Sequence, residues 1–327
     1  PAYEEHRGND LRAAAQRYAA ADRRHLDETP HRVRQRAYRR IDAVAQHLPE
    51  QVEAMEAALV FGHHAGSADA LRLAQENPDR EVVFFAIGFE TTTPTSAVAI
   101  KQAAALGLRN FSVFANHVLT PSAIQTILDS PEVASSGAVR VDAFVGPGHV
   151  STIIGSAPYE RFARDYRRPI AVSGFEPLDI MQSILMLVRQ LNEGRCEVEN
   201  QFSRAVTRNG NAKAQALIDE VFELRDSFEW RGLGTIPDSA LQIREAFADW
   251  DAERRWQLRY KPVADNKACA CGEILRGAKK PLDCKIFGTV CTPENPMGSC
   301  MVSPEGSCAA YYLYGRWRDT SSLEEQQ

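Results

Sequence analysis

The stretch EVVFFAIGFETT, residues 81–92, decides the fold class. It is a continuous apolar run followed by a glycine turn, and residues 93–107 after it have the pattern of a helix closed by glycine. The same order of strand and helix begins again at residues 110, 141 and 169. Short strands alternating with helices predict right-handed crossovers and an α/β fold, with a parallel sheet covered by helices on both faces.

Changes in composition and in the apolar pattern divide the chain into four regions. Residues 1–67 form an Ala/Arg-rich segment with no lysine and no cysteine; it has one helical apolar stripe, and nothing in it indicates a buried strand. Residues 68–195 are the predicted α/β domain. Residues 196–260 are predicted as a helical connection, with helices over 211–226 and 238–255 and a turn-rich link between them. Residues 261–327 are a loop-rich, cysteine-rich domain.

Each apolar strand of the α/β domain is followed by a polar or glycine-rich signature. These signatures are GFETT after the first strand, NH after the second, GPGH after the third and GFEP after the fourth. Because the carboxyl ends of parallel strands share one edge, we expect a site there. Its candidate residues are Glu90, Thr91, Asn116, His149 and Glu176, with Glu90 and Asn116 as candidate catalytic groups. His117 is a weaker candidate than His149.

Composition excludes several function classes. A net charge of -5 gives no electrostatic reason to expect nucleic acid, and no loop follows a nucleotide-binding pattern. The longest apolar runs, such as residues 82–87 and 184–188, are far too short to span a bilayer, and the polar amino terminus has no signal-peptide core. We therefore expect a cytoplasmic protein that acts neither on nucleic acid nor at a membrane.

The carboxy-terminal region concentrates thiols. Six of the seven cysteines lie within residues 269–308, at successive spacings of 2, 13, 7, 9 and 8, and Cys196 is alone outside it. In a reducing compartment, clustered thiols are more often metal ligands or redox groups than disulfides. No CxxC pair is present, which disfavours a zinc ribbon. An iron-sulfur cluster fits best: it takes four thiolates and leaves two for a redox pair, although spacing alone does not say which four.

The motifs together resemble those of a known family. The segment CACGEILRGAKKPLDCKIFGTVCTPENPMGSCMVSPEGSCAAYY is similar to the carboxy-terminal signature of the hydrogenase maturation factor HypD family, and NPDREVVFFAIGFETTTPTSA, NFSVFANH, GPGHVSTIIG and SGFEPLDI resemble its central region in the same order. The resemblance covers about residues 68–318. It implies a scaffold on which the iron centre of nickel-iron hydrogenases is assembled, with cyanide and carbon monoxide attached to the iron.

The resemblance also implies site residues, a cofactor and partners. The ligands of a [4Fe-4S] cluster fall on Cys269, Cys284, Cys291 and Cys308. The redox pair falls on Cys271 and Cys300, and His149 is implied as the histidine of the transient iron site. The implied partners are a HypC-type chaperone, which shares that iron, and a HypE-type cyanide donor.

The amino-terminal region departs from the family. A Cys-Gly-Gly-His motif and a Cys-Pro-x-Cys motif are expected there, and neither occurs in this sequence. We therefore expect residues 1–67 to be truncated or mis-framed, which leaves open whether the chain is active. Two other functions remain open: an iron-sulfur thiol/disulfide oxidoreductase, and a non-catalytic module that docks HypC.

Overall fold

A computed structural model describes residues 58–61, 66–134, 139, 141–257 and 266–315. The strands are β1 (Ala58–Phe61), β2 (Val82–Gly88), β3 (Phe111–His117), β4 (Phe144–Pro147), β5 (Ile170–Ser173), β6 (Val198–Asn200), β7 (Phe222–Leu224), β8 (Ser227–Trp230), β9 (Gly234–Pro237) and β10 (Leu241–Ile243). The α-helices are α1 (Ser67–Glu76), α2 (Thr93–Leu106), α3 (Thr120–Leu128), α4 (Pro131–Ala134), α5 (Gly148–Ile154), α6 (Glu160–Asp165), α7 (Pro177–Glu193), α8 (Ala212–Val221), α9 (Ala252–Arg255), α10 (Cys271–Leu275), α11 (Ser299–Val302) and α12 (Ser307–Ala310). Together these elements confirm the α/β fold class.

The first sheet is parallel and has the order β1-β2-β3. Its core joins alternate residues of β2 and β3 to one face of α2, where Ala97, Ile100 and Ala103 are buried. Helix α2 ends at Gly107, whose φ of 63° is the left-handed conformation that glycine adopts without strain. Strand β1 contradicts the expectation that residues 1–67 contain no strand. The other predictions for residues 1–57 lie outside the described residues.

The second sheet is also parallel and has the order β4-β5-β6. Tyr159, Phe162 and Ile170 are fully buried in its core. The prediction that all four strand ends share one edge of one sheet is therefore wrong, because β3 and β4 belong to different sheets. The physical reason is that the free edge of β3 is already taken: Val113 bridges Asp251, and the amide of Leu119 donates to the carbonyl of Ser239 at 2.8 Å.

The connection between the α/β domain and the cysteine-rich region is not simply helical. The first predicted helix forms as α8 but ends at Val221, where β7 begins. The second predicted helix is wrong: residues 238–255 form β10, a 3-10 turn (Glu245–Trp250) and the short α9. Leu241 and Ile243 are buried on one side of β10 against β7, a period of two that the longer helical pattern concealed. The predicted link between these helices contains the β8–β9 hairpin.

Helix α7 has an unusual distribution of side chains. Its buried positions include the polar residues Asp179, Ser183 and Gln190. Its solvent-exposed positions carry large apolar residues, namely Leu178, Ile180, Met181, Ile184, Leu185, Val188 and Leu191. An ordinary surface helix has the opposite arrangement. None of the helices in the described ranges combines the length and the apolarity that crossing a membrane requires.

Candidate functional site

The six clustered cysteines gather into one buried core. Cys269 is half-buried, the other five are buried, and all six are free thiols. They pack with Ile274, Met301 and Ala309. Thiols up to 39 positions apart in sequence therefore meet in a pocket that excludes water, as the cysteine pattern predicted.

Backbone amides point at several of these sulfurs. The amide of Ala270 donates to Cys284 Sγ at 3.5 Å, and the amide of Met297 donates to Cys291 Sγ at 3.4 Å. The amide of Cys300 donates in the same way to a third sulfur, at 3.3 Å. Hydrogen bonds of this kind favour the charged thiolate and tune the reduction potential of a cluster that thiolates bind.

Cys271 and Cys300 are neighbours, as the pair assignment requires. Besides accepting the Cys300 amide, Cys271 Sγ lies 3.1 Å from Ser299 Oγ. The hydrogen bond with the Cys300 side chain, together with burial, raises the pKa of Cys271 far above its usual range. Cys300 Sγ also lies 3.0 Å from Cys308 Sγ, so the pair directly adjoins one of the four assigned cluster ligands.

The charge state of these thiols depends on what occupies the pocket. A hydrogen bond to Cys271 lowers the pKa of Cys300, but the contact with Cys308 and burial outweigh it and raise that pKa to about 12. Burial also raises the pKa of Cys269. The raised pKa values of Cys269, Cys271 and Cys300 favour the neutral thiol at these three positions, and a bound cation such as iron would favour the thiolate. Among the described residues, no group of three or more His, Cys, Asp or Glu is arranged to hold a single metal ion.

A glycine allows this packing, and its role was not apparent from the sequence. A Cβ atom added at Gly298 would lie 2.6 Å from Cys269 Sγ and 2.9 Å from Cys271 Cβ. Only glycine leaves room there for the two thiol-bearing side chains. The position could have been suspected, since Gly298 stands just before the predicted redox cysteine Cys300.

At the end of β2, Glu90 is buried with 4% of its surface exposed. It accepts hydrogen bonds from the amide of Thr120 at 2.8 Å and from Thr120 Oγ1 at 3.0 Å. Burial raises the pKa of Glu90, and these hydrogen bonds oppose the rise. Glu90 thus joins the loop after β2 to the start of α3. Asn116 is half-buried on the neighbouring β3, in register with Ile87.

At the ends of the second sheet, His149 is solvent-exposed on α5 and stacks on Phe175, with 3.8 Å between ring centroids and an interplanar angle of 25°. Glu176 is exposed at the start of α7. Ser151, two residues further along α5, donates to the hydroxyl of the buried Tyr159 at 3.3 Å. Burial raises the pKa of Tyr159, and the negative charge of Glu90 adds to that rise.

The structure therefore groups the predicted strand-end residues by sheet. Glu90 and Asn116 lie at the ends of the first sheet, and His149 and Glu176 at the ends of the second. Their common role in one site stays a prediction. His117 has a structural setting: it is buried, its Nε2 lies 3.0 Å from Ser96 Oγ, and burial lowers its pKa to about 4.

Sequence reasoning missed a charged network behind the GFEP loop. Asp179 is buried and forms an ion pair with Arg204 through two hydrogen bonds of 2.9 and 2.5 Å. It also accepts from Gln201 at 2.8 Å and from the amide of Glu176 at 3.2 Å. The Arg204 guanidinium and these hydrogen bonds hold the pKa of Asp179 well below its usual range. The available signal was an aspartate in the first turn of a helix, with apolar residues on both sides of it.

The β8–β9 hairpin contacts both candidate regions. Trp230 packs on Phe89 of the GFETT loop, with ring centroids 6.4 Å apart. In the turn that follows, the carbonyl of Arg231 accepts from Ser299 Oγ at 3.1 Å. Gly232 packs closely against the cysteine-rich region, because an added Cβ would lie 2.9 Å from Leu275 Cδ1 and in ordinary contact with Cys271 Sγ at 3.5 Å.

Comparison with known proteins adds the family. A model of the HypD family, described as the hydrogenase formation hypA family, matches residues 48–315. The hydrogenase maturation factor HypD of Cupriavidus necator is 67% identical over 253 residues, which are 77% of this chain and 67% of that protein. The hydrogenase expression/formation protein HupD of Azotobacter chroococcum mcd 1 is 65% identical over 254 residues, 78% of this chain and 67% of the relative. HypD of Rhizobium leguminosarum bv. viciae is 64% identical over 251 residues, which are 77% of this chain and 65% of that protein. The chain spans about two thirds of the length of these relatives.

Proposed function

Because the chain belongs to the HypD family of hydrogenase maturation factors, we propose that it is a scaffold for assembly of the Fe(CN)2CO centre of nickel-iron hydrogenase. The observation that carries the proposal is the buried core of six free thiols. The transient iron with its cyanide and carbon monoxide ligands is the cargo. His149 contacts it, and Glu90 and Asn116 line the assembly site from the ends of the first sheet.

A [4Fe-4S] cluster is proposed as the resident cofactor, held by Cys269, Cys284, Cys291 and Cys308. The residues fit it, because thiolates that accept amide hydrogen bonds in a dry pocket are the usual surroundings of such a cluster. When bound, the cluster supplies one-electron redox chemistry. The lack of a single-ion arrangement does not count against it, since four thiolates then bind four separate irons.

The remaining two thiols, Cys271 and Cys300, form the proposed redox pair. Converting this dithiol to a disulfide forms one S–S bond and releases two protons and two electrons, and the reverse reaction consumes them. A one-electron carrier protein would supply or take up these two electrons, and a cluster held by the four other thiols would lie beside the pair and supply one-electron redox chemistry. The hydrogen-bonded contact between Cys271 and Cys300 supports this assignment.

The test of the cofactor is chemical analysis of anaerobically purified full chain. We expect about four iron and four sulfide per chain, together with a broad thiolate-to-iron absorption band. One zinc per chain without sulfide would overturn the proposal. A Cys196→Ala variant serves as the matched control, because Cys196 lies outside the thiol core and its loss should leave the iron content unchanged.

The exposed apolar face of α7 supports docking of a HypC-type chaperone. This face begins at Leu178, three residues after Phe175, which stacks on His149. A partner that shares the cargo iron at His149 would therefore cover this apolar face. A HypE-type protein is proposed as the cyanide donor to the assembled pair.

Docking is tested by the affinity of a purified HypC-type chaperone for the full chain. Met181→Asp should weaken binding by about 10-fold or more, because burial of a methionine side chain contributes about 1.5–3 kcal/mol. The control is Val98→Asp, an apolar position on α2 that is also exposed, at 40% against 65% for Met181. Equal affinity of both variants and the unmodified chain would place the chaperone elsewhere.

An iron-sulfur thiol/disulfide oxidoreductase is the second candidate, which the Cys271–Cys300 contact also favours. The two functions differ in what they need beyond the cysteine-rich region. An oxidoreductase would keep full dithiol exchange with a substrate disulfide when His149 and the apolar face of α7 are altered. A scaffold would lose iron delivery with the same changes while its thiol exchange stayed intact.

A further inference from the structure

The loop that follows β5 is held in place by hydrogen bonds from its backbone amides to the side chains of Gln201 and Asp179. Asp179 forms its ion pair with Arg204, and Gln201 bridges from Asp179 to the loop by accepting from the amide of Gly174 at 3.0 Å. A Cβ atom at Gly174 would lie 2.1 Å from Asp179 Oδ2, so the loop can approach the carboxylate this closely only with glycine. The backbone on either side of Phe175 is therefore fixed, because the amide of Glu176 is also bound to Asp179.

The Phe175 ring is fixed in turn between two aromatic neighbours. It lies edge-to-face with Phe202 at 5.7 Å and stacks on His149 at 3.8 Å. Arg204 lies over the far ring, with its guanidinium carbon 4.5 Å from the centroid of Phe202. On the His149 side, an added Cβ at Gly148 would lie 3.1 Å from the Phe175 ring, so this glycine leaves space for the stack.

The same three residues, Gly-Phe-Glu, occur at the end of β2, but there the phenylalanine has a different aromatic neighbour. There the phenylalanine, Phe89, packs on Trp230, and Glu90 is the buried group. Phe89 and Phe175 are similarly exposed, at 44% and 52%. The stack on His149 therefore does not follow from the Gly-Phe-Glu turn itself. It depends on the clamp at Asp179 and on the position of α5.

We propose that Phe175, held by the Asp179–Arg204–Gln201 clamp, is a positioning residue that fixes the plane of the His149 imidazole. An imidazole nitrogen offers its lone pair in the plane of the ring, so the ring orientation sets the direction from which a ligand atom or an iron is bound. Residues that orient a metal-binding histidine typically change metal affinity about 10- to 100-fold when replaced. That the bound ligand is iron rests on the proposed function. The fixed orientation of the His149 ring does not depend on that function.

The experiment follows His149 in the full chain, without added iron, in three variants. Phe175→Leu removes the aromatic ring and keeps an apolar side chain, Phe175→Tyr keeps the ring, and Phe89→Leu is the matched control in the other Gly-Phe-Glu loop. The first readout is the His149 Hε1 resonance, which a stacked benzene ring shifts upfield. It should lose that shift in Phe175→Leu and keep it in the other two proteins.

The second readout is the rate of carbethoxylation by diethyl pyrocarbonate at a single pH. Tryptic cleavage isolates residues 141–161, in which His149 is the sole histidine, and the buried His117 in residues 110–140 serves as an unreactive internal reference. The rate at His149 should rise about 2- to 10-fold in Phe175→Leu, the factor equivalent to an aromatic pair of about 0.5–1.5 kcal/mol. Phe175→Tyr and Phe89→Leu should react at the unmodified rate.

The inference is overturned if Phe175→Leu changes neither the resonance nor the rate, or if Phe175→Tyr behaves like Phe175→Leu. Neither readout requires a cluster, a cargo iron or a chaperone. A chain that lacks iron and sulfide but shows the expected shifts would therefore refute the proposed function and leave the positioning role standing. A chain that binds iron and sulfide but shows no change of resonance or rate in Phe175→Leu would refute the positioning role alone.

Discussion

Replacing Glu90 tests whether the loop after β2 is held by a buried carboxylate. Its two oxygens accept from the amide and the hydroxyl of Thr120 at 2.8 and 3.0 Å, and only 4% of the residue is exposed. Hydrogen bonds to charged groups contribute about 1.5–3 kcal/mol each. After the penalty for burying the carboxylate is subtracted, Glu90→Ala should destabilise the chain by about 2–4 kcal/mol.

Glu90→Gln separates the charge from the hydrogen bonds. The amide oxygen still accepts from the Thr120 amide, so the loss of stability should be about 1 kcal/mol at pH 5. Burial raises the pKa of Glu90 above the usual 4.5, so the folded state binds a proton that the unfolded state has already released. Stability from the protonated form is present below pH 4.5 and is lost as the pH rises through the folded-state pKa. Because glutamine does not ionise, the variant should gain stability relative to the unmodified chain as the pH rises from 4.5.

The assay is urea unfolding of both variants between pH 4.5 and pH 8, with Glu229→Gln as an exposed control. Equal midpoints for Glu90→Ala and the unmodified chain would refute the buried hydrogen bonds. A difference between Glu90→Gln and the unmodified chain that is constant over this range would refute the raised pKa.

Three further predictions concern the thiols and the charged clamp. Cys284→Ala should abolish iron and sulfide binding whereas Cys271→Ala should retain both, and equal loss in the two variants would contradict the division into ligands and redox pair. Gly298→Ala should lower the free energy of unfolding in urea by about 1–3 kcal/mol and lower the iron content, because its Cβ would lie 2.6 Å from a thiol sulfur. The control Gly66→Ala should change neither quantity, because its Cβ would lie 3.7 Å from the nearest atom. Because the pKa of Asp179 is depressed in the folded state, its stabilising effect is present above the unfolded-state pKa of about 4 and is lost as the pH falls below it. Asp179→Asn should therefore reduce the dependence of the unfolding free energy on pH in the acid range. An unchanged pH dependence would exclude this linkage.

The four strands β2, β3, β4 and β5 could be predicted from the sequence, but their arrangement in sheets could not. Runs such as residues 82–88 are continuously apolar because they are buried in a parallel sheet, and that local pattern survives in any context. The pairing of β3 depends instead on residues 239–251, more than 120 positions further along the chain. In that segment Leu241 and Ile243 carry a strand pattern only three residues long, which is too short to outweigh the helical spacing around it.

The cysteine core shows the same division between local and non-local information. The number and spacing of the thiols indicated a common pocket, and the structure brings all six together. The contact of Cys300 with both Cys271 and Cys308 could not be predicted, since it depends on how α10, α11 and α12 fold over one another. Phe175 was also missed as a neighbour of His149, because two separate strand-end loops must meet before the stack exists.

The β8–β9 hairpin gives a physical reason to treat the first sheet and the thiol core as one unit. An isolated two-stranded hairpin is marginally stable in water, so its position must be fixed by what it packs against. On one side Trp230 packs on Phe89 and donates from its indole nitrogen to Ser239 Oγ at 2.9 Å. On the other side the turn at Gly232 adopts a left-handed φ of 85° and packs beside Cys271. The same short hairpin is therefore in contact with both the thiol-bearing segment and the loop that carries Glu90, so its packing depends on both.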